Sequence, residues 1–197
     1  MRVKFILSVL TFAITVVTAT NAATISYPNV GTVAPVESFK AISSGDLVGY
    51  FYSSSAAYDN QIGVFVNGAQ LGGYALDNHL STYGQSVNFG HVNAGDSVVF
   101  VLNVLTQGYK LYSNVALNSD LTNHIYATAF GGETNGGATI PTGLLVGFED
   151  QAMSIADLDY NDEIAVFTNV AVNPEPVSFV LFGTGLLALG LFRRKRA

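Results

Sequence analysis

Apolar residues recur along the middle of the chain in short runs, separated by Gly, Asn, Asp and Ser. The clearest are Leu47–Tyr52 (LVGYFY), Gln61–Val66 (QIGVFV), Ser97–Asn103 (SVVFVLN), His124–Phe130 (HIYATAF), Gly143–Phe148 (GLLVGF) and Glu163–Val172 (EIAVFTNVAV). Ser86–Phe89 and Gly108–Tyr112 are weaker runs. Valine and aromatic side chains fit a pleated, half-buried surface, so these runs predict strands. Asn67-Gly68, Gly72-Gly73 and Asn93–Asp96 mark turns between them, and Gly131–Gly137 reads as a flexible loop. Asn78–Tyr83 has room for a few short helical turns, and no segment of the middle carries a sustained helical period. About eight short strands at this spacing predict an all-β fold, an antiparallel β-sandwich of jelly-roll type. It forms one domain over residues 23–172.

Two longer apolar runs lie at the ends and carry a different message. Arg2 and Lys4 precede the run Phe5–Val17, and Thr20 and Ala22 supply small residues at the −3 and −1 positions of a cut. This is the order of parts in a secretory signal peptide, residues 1–22, with cleavage before Ala23 and export by the Sec machinery. The run is short for an uncleaved anchor. At the other end, the sixteen residues Val177–Phe192 carry no charge. As a helix they span roughly 24 Å, somewhat less than a bilayer core of about 30 Å. Flanking residues and snorkelling cations cover part of the deficit. Arg193, Arg194, Lys195 and Arg196 then hold the C-terminus on the cytoplasmic side. Pro174-Glu175-Pro176 stiffens the chain just outside the membrane. Residues 173–197 thus form a tail of three parts, with a transmembrane helix at 177–192.

Composition changes the picture once the ends are set aside. The whole chain has a formal charge of −6, but between Ala23 and Asn173 only Lys40 and Lys110 face thirteen acids, a balance of −11. Phosphate backbones would repel such a domain, which argues against nucleic-acid binding. Solubility outside the cell, or a divalent cation, is compatible with it. The chain has no cysteine. Disulfides, thiolate metal sites and cysteine nucleophiles are therefore excluded, and the exported domain must be held by its own core. About 150 residues suffice to bury one.

The acids concentrate in GFEDQAMSIADLDYNDEIAVF. Glu149 and Asp150 end one predicted strand, and Asp157-Leu158-Asp159-Tyr160-Asn161-Asp162 leads into the last. Alternate oxygen side chains in D-x-D-x-N let Asp157, Asp159 and Asn161 converge on one hard cation, as in calcium loops. This is no EF-hand, because the sixth position is Asp162 rather than Gly and the twelfth is Thr168 rather than Glu. Glu149, Asp150, Asp157, Asp159, Asn161 and Asp162 are the candidate calcium ligands. The competing reading is an acidic turn in which Asp and Asn side chains cap backbone amides.

Nothing in the chain reads as an enzyme. His79, His91 and His124 are scattered, and neither H-E-x-x-H nor G-x-S-x-G occurs. Glu149 and Asp162 could form a glycosidase pair in principle, but acids at strand ends are more often ligands or turn caps. The many strand tyrosines, Tyr50, Tyr52, Tyr74, Tyr109 and Tyr112 among them, suit sheet packing, and some could stack on sugars.

The tail resembles the PEP-CTERM sorting signal of Gram-negative bacteria: Pro174, Glu175 and Pro176 match, followed by the apolar helix and the basic end. Asn173 stands where that family often has Val. The resemblance implies a membrane-embedded exosortase that recognises the Pro-Glu-Pro segment and removes the tail. It also implies an end location on the cell surface or in an extracellular matrix, with exopolysaccharide or biofilm as partner. A glycolipid-anchor signal ends in its apolar run, whereas this chain ends in cations. The Leu-Pro-x-Thr-Gly of a sortase signal is absent. G-F-E-D … D-x-D-Y-N-D is similar to a C-terminal domain of unknown function in bacterial secreted and surface proteins, over about Gly143–Val170. Ser53–Gly68 is similar to the strand pair that accompanies it. The sequence therefore predicts a non-enzymatic exported surface or matrix protein. A calcium-dependent carbohydrate-binding module is the alternative, and a plain single-pass anchor is the minor one.

Overall fold

The central strand of the fold shows why alternation matters. In Ser97–Val104, the residues Val98, Phe100, Leu102 and Val104 point inward and are buried, while Val99 and Asn103 are half-exposed on the other face. The structure, a computed structural model, describes residues 26–173. The expected signal peptide, Pro174, Glu175 and Pro176, the helix 177–192 and the basic cluster lie outside the described residues. Among the described residues no helix is long and apolar enough to cross a membrane.

The described chain is all-β and antiparallel. In chain order the strands are β1 (Phe39–Ala41), β2 (Gly45–Ser53), β3 (Asn60–Val66), β4 (Ala69–Ala75), β5 (Ser86–Val92), β6 (Ser97–Val104) and β7 (Tyr109–Tyr112). Then come β8 (Ile125–Phe130), β9 (Glu133–Asn135), β10 (Ala138–Ile140), β11 (Gly143–Phe148), β12 (Glu163–Phe167) and β13 (Val170–Val172). One sheet has the order β13-β1-β6-β3-β4, with β7 also on β6; the other has β5-β2-β12-β11-β8; β9 and β10 form a separate hairpin.

The two sheets share one core. The ring centroids of Phe100 in β6 and Phe167 in β12 lie 4.5 Å apart, and Phe39 and Phe89 pack around them. Truncating a ring at such a site typically costs about 3–5 kcal/mol. β12 is buried on both faces. Ala165 and Phe167 enter the shared core, while Ile164 and Val166 join Tyr52, Phe130, Ile140 and Leu145 in a second cluster. That double burial is why EIAVF lacks alternation.

Several local expectations change. Gly72-Gly73 is no turn: β4 runs through it, and a register shift in its pairing with β3 absorbs the left-handed Gly72. Gly131–Gly137 is not a free loop. Gly136 and Gly137 both have positive φ and connect paired Asn135 and Ala138, the two-residue turn that matches strand twist. The last run divides in two. Asn169 adopts φ 62°, its side chain bonds Ser43, and the chain passes from one sheet to the other. Asn78–Tyr83 forms hydrogen-bonded turns rather than a helix, and a 3-10 turn at Val115–Leu117, capped by Asn114, was not anticipated.

Candidate metal centre

β11 delivers Glu149 and β12 receives the chain again at Glu163, so both ends of the acidic segment are fixed by one strand pair. The Glu149 amide still donates to His124 O at 3.0 Å, extending the ladder beyond β11. Within the turn, Leu158 and Tyr160 take left-handed conformations, φ 57° and 55°. Both are costly for residues with large side chains, and tertiary contacts hold them. Leu158 O accepts from Gly31 N at 3.1 Å. The Tyr160 ring is buried against Tyr27, with centroids 4.9 Å apart. Its hydroxyl accepts from Ala34 N at 2.8 Å and donates to Asn123 O at 3.2 Å.

Tyr160 thus acts as a pin in the middle of D-x-D-Y-N-D, and the acids arrange around it. Glu149, Asp157 and Asp159 each bring one carboxylate oxygen within 4.8 Å of the others. Glu149 is buried, Asp159 half-buried and Asp157 exposed, so the constellation opens to solvent at one side. Glu149 Oε1 accepts from Tyr160 N at 2.8 Å, and Asp159 Oδ1 from Asn161 N at 3.1 Å. The Asn161 side-chain amide donates to Asp159 Oδ2. Among the described residues, no Lys or Arg pairs with these carboxylates. Lys110 instead sits 5.4 Å above the Tyr74 ring.

Burial raises the pKa of Glu149 and of Asp159, and the charge of Asp157 raises both further. Three hard oxygen donors with no nitrogen or sulfur among them fit calcium or magnesium rather than zinc. Calcium takes six to eight oxygens, so main-chain carbonyls or water would complete its shell.

The six sequence candidates do not gather at one point. Asp150 turns toward the opposite sheet, and Asp162 bonds the Asp150 backbone. Asp162 Oδ2 accepts from Asp150 N at 2.7 Å, and Asp150 Oδ2 accepts from Asn60 Nδ2 at 2.8 Å. Tyr109 OH donates to Asp150 O, and Ser54 Oγ to Asp162 O, each at 2.7 Å. Burial first, then the charges of Asp150, Glu149 and Asp157, push Asp162 up to about 8. Asn60 and Glu163 complete this inner group and were not among the candidates. The signal for Glu163 is an acid heading a strand buried on both faces; Asn60 has none, because its partner is ninety positions away.

The histidines stay apart. His79 pairs with Asp59 at 2.7 Å, His91 approaches Asp46 at 3.7 Å, and the buried His124 pairs with Asp120 at 2.9 Å. Comparison with family models, with curated proteins and with solved structures finds no match.

Proposed function

We propose that this is an exported, non-enzymatic surface or matrix protein whose β-domain is locked by calcium at the D-x-D-Y-N-D turn. The observation that carries this reading is the convergence of Glu149, Asp157 and Asp159 within 4.8 Å. A weak site of this kind fills in a calcium-rich exterior, where extracellular modules bind at about 10⁻⁴–10⁻³ M. The chain passes back and forth between its two sheets, which supports the jelly-roll type of sandwich. In this proposal the protein is exported by the Sec machinery and parked in the inner membrane of a Gram-negative bacterium by the helix 177–192. An exosortase then recognises Pro174-Glu175-Pro176 and removes the tail, and the protein joins exopolysaccharide or biofilm.

The sorting half is tested by intact mass in a host carrying its exosortase. The mature protein is expected to begin at Ala23 and to lack Arg193–Arg196, and deletion of the exosortase is expected to leave the whole tail in the inner membrane. An identical C-terminus in both strains would favour the plain single-pass anchor.

One observation supports the second reading, a calcium-dependent carbohydrate-binding module. Tyr160 and Tyr27 beside the acidic turn are buried, but Phe65 and Tyr112 meet edge to face along a groove of about 610 Å³ that Val99, Asn67 and Asn114 also line. Half-exposed rings flanked by amides suit the apolar face and hydroxyls of a sugar.

A further inference from the structure

We propose that the domain holds a second calcium ion, buried between the two sheets, with Glu163, Asp150 and the Asn60 side-chain oxygen, Oδ1, as its protein ligands. The proposal rests on the reading that this protein meets calcium, but on different residues. Each of the three continues a core-facing row. Glu163 precedes Ala165 and Phe167 on β12, Asp150 follows Val146 and Phe148 beyond β11, and Asn60 precedes Ile62 and Val64 on β3. Where those apolar rows end, both sheets present oxygen to each other instead of carbon. The 2.8 Å bond from Asn60 Nδ2 to Asp150 Oδ2 ties the two sheets together at that point.

The inner group is short of partners. Both carboxylate oxygens of Glu163 and the side-chain oxygen of Asn60 are buried with no hydrogen-bond donor, and both residues are 0% exposed. Unpartnered buried polar atoms are rare, and three gathered on two facing residues call for an explanation, of which a bound ion is one. Among the described residues no cationic side chain supplies the need: Asp77 and Asp150 are the charged groups that act on Glu163. Two carboxylates and one divalent ion are together neutral, which a site without water requires. An amide oxygen adds a ligand without adding charge. Oxygen donors alone, with no nitrogen or sulfur, select a hard cation, and calcium tolerates the irregular geometry of a site built from two sheets better than magnesium. Glu163, Asn60 and Asp150 are all buried, so this ion would exchange slowly compared with one at the exposed Asp157.

The test is calcium stoichiometry on the full chain, stripped with chelator and titrated with calcium alone, read by calorimetry and native mass spectrometry. Two ions per wild-type chain are expected. Glu163→Gln, close in shape to the acid, should bind one, and the pair Asp157→Asn with Asp159→Asn should also bind one. One ion in the wild type that disappears with Asp157→Asn and Asp159→Asn overturns the buried site and leaves the outer one standing. One ion that survives that pair but disappears with Glu163→Gln overturns the outer site and keeps this one. Two ions still bound by Glu163→Gln overturn Glu163 as a ligand, and no bound calcium in the wild type overturns both sites without recourse to any variant.

Discussion

The carbonyl oxygen of Tyr160 occupies the space that a Cβ on Gly147 would need. The acidic turn therefore lies directly on strand β11, backbone against backbone, with no side chain between. Gly147→Ala should force the turn outward at a cost of about 1–3 kcal/mol, the range of an overpacked site. Because Tyr160 N donates to Glu149 Oε1, the same change should weaken calcium binding. Urea denaturation and a calcium titration of the variant check both effects; wild-type values for stability and affinity would break the link.

Tyr160→Phe removes one oxygen and keeps the ring. The Ala34 amide, which donates to that oxygen at 2.8 Å in a buried setting, is left without an acceptor. A loss of about 1–3 kcal/mol follows from an unpaired buried donor. Denaturant midpoints with and without calcium measure it, and the loss should appear in both conditions because the bond is independent of the ion.

How much of this was open to a reader of the sequence depends on the range of the interaction. SVVFVLN and QIGVFV declared their strands because their core-facing residues, Val98, Phe100 and Leu102 in one and Ile62 and Val64 in the other, fall at every second position. GGETNGG read as a loop because its glycines signal freedom, whereas Gly136 and Gly137 supply the positive φ of a tight hairpin. The break between Phe167 and Val170 was hidden inside one apolar run, since Asn169 stops the strand only through its bonds to Ser43. At the site, the D-x-D spacing pointed to Asp157 and Asp159, and the structure brings a Glu149 carboxylate oxygen within 4.8 Å of theirs. The separation of Asp150 from that group follows from strand parity at the end of β11 and from the contact with Asn60 in the other sheet, and Asp162 is tied to Asp150 through its backbone amide. Neither pairing is encoded locally.

In chelator, stability should fall as pH rises. Burial holds Asp162 at about 8 against an ordinary 3.8, and burial also holds Glu163 well above 4.5. The folded state thus binds these protons more tightly than the unfolded chain. The Asp162 contribution is complete below about pH 4 and is lost as pH climbs through about 8, and Glu163 acts in the same direction. The calcium-free protein should melt at a higher temperature at pH 5.5 than at pH 8.5. Calcium, which needs the carboxylates ionised, should remove or reverse that trend. Melting curves across this range with and without calcium decide it; a calcium-free protein that gains stability toward pH 8.5 would contradict the assignment.

The central claim is that the acidic turn exists to hold calcium, and thermal unfolding of the full chain, stripped with chelator and then given millimolar calcium, tests it most directly. At one- to tenfold excess over a Kd of about 10⁻⁴–10⁻³ M, an ion bound only by the folded state adds roughly 0.4–1.4 kcal/mol, which for a folded unit of this size corresponds to about 1–6 °C. Magnesium should raise the melting temperature less, since it demands a tighter octahedron, and Asp157→Asn with Asp159→Asn should remove the increment that belongs to the outer site. A wild-type melting temperature unmoved by calcium would contradict the account and leave D-x-D-Y-N-D a hydrogen-bonded turn.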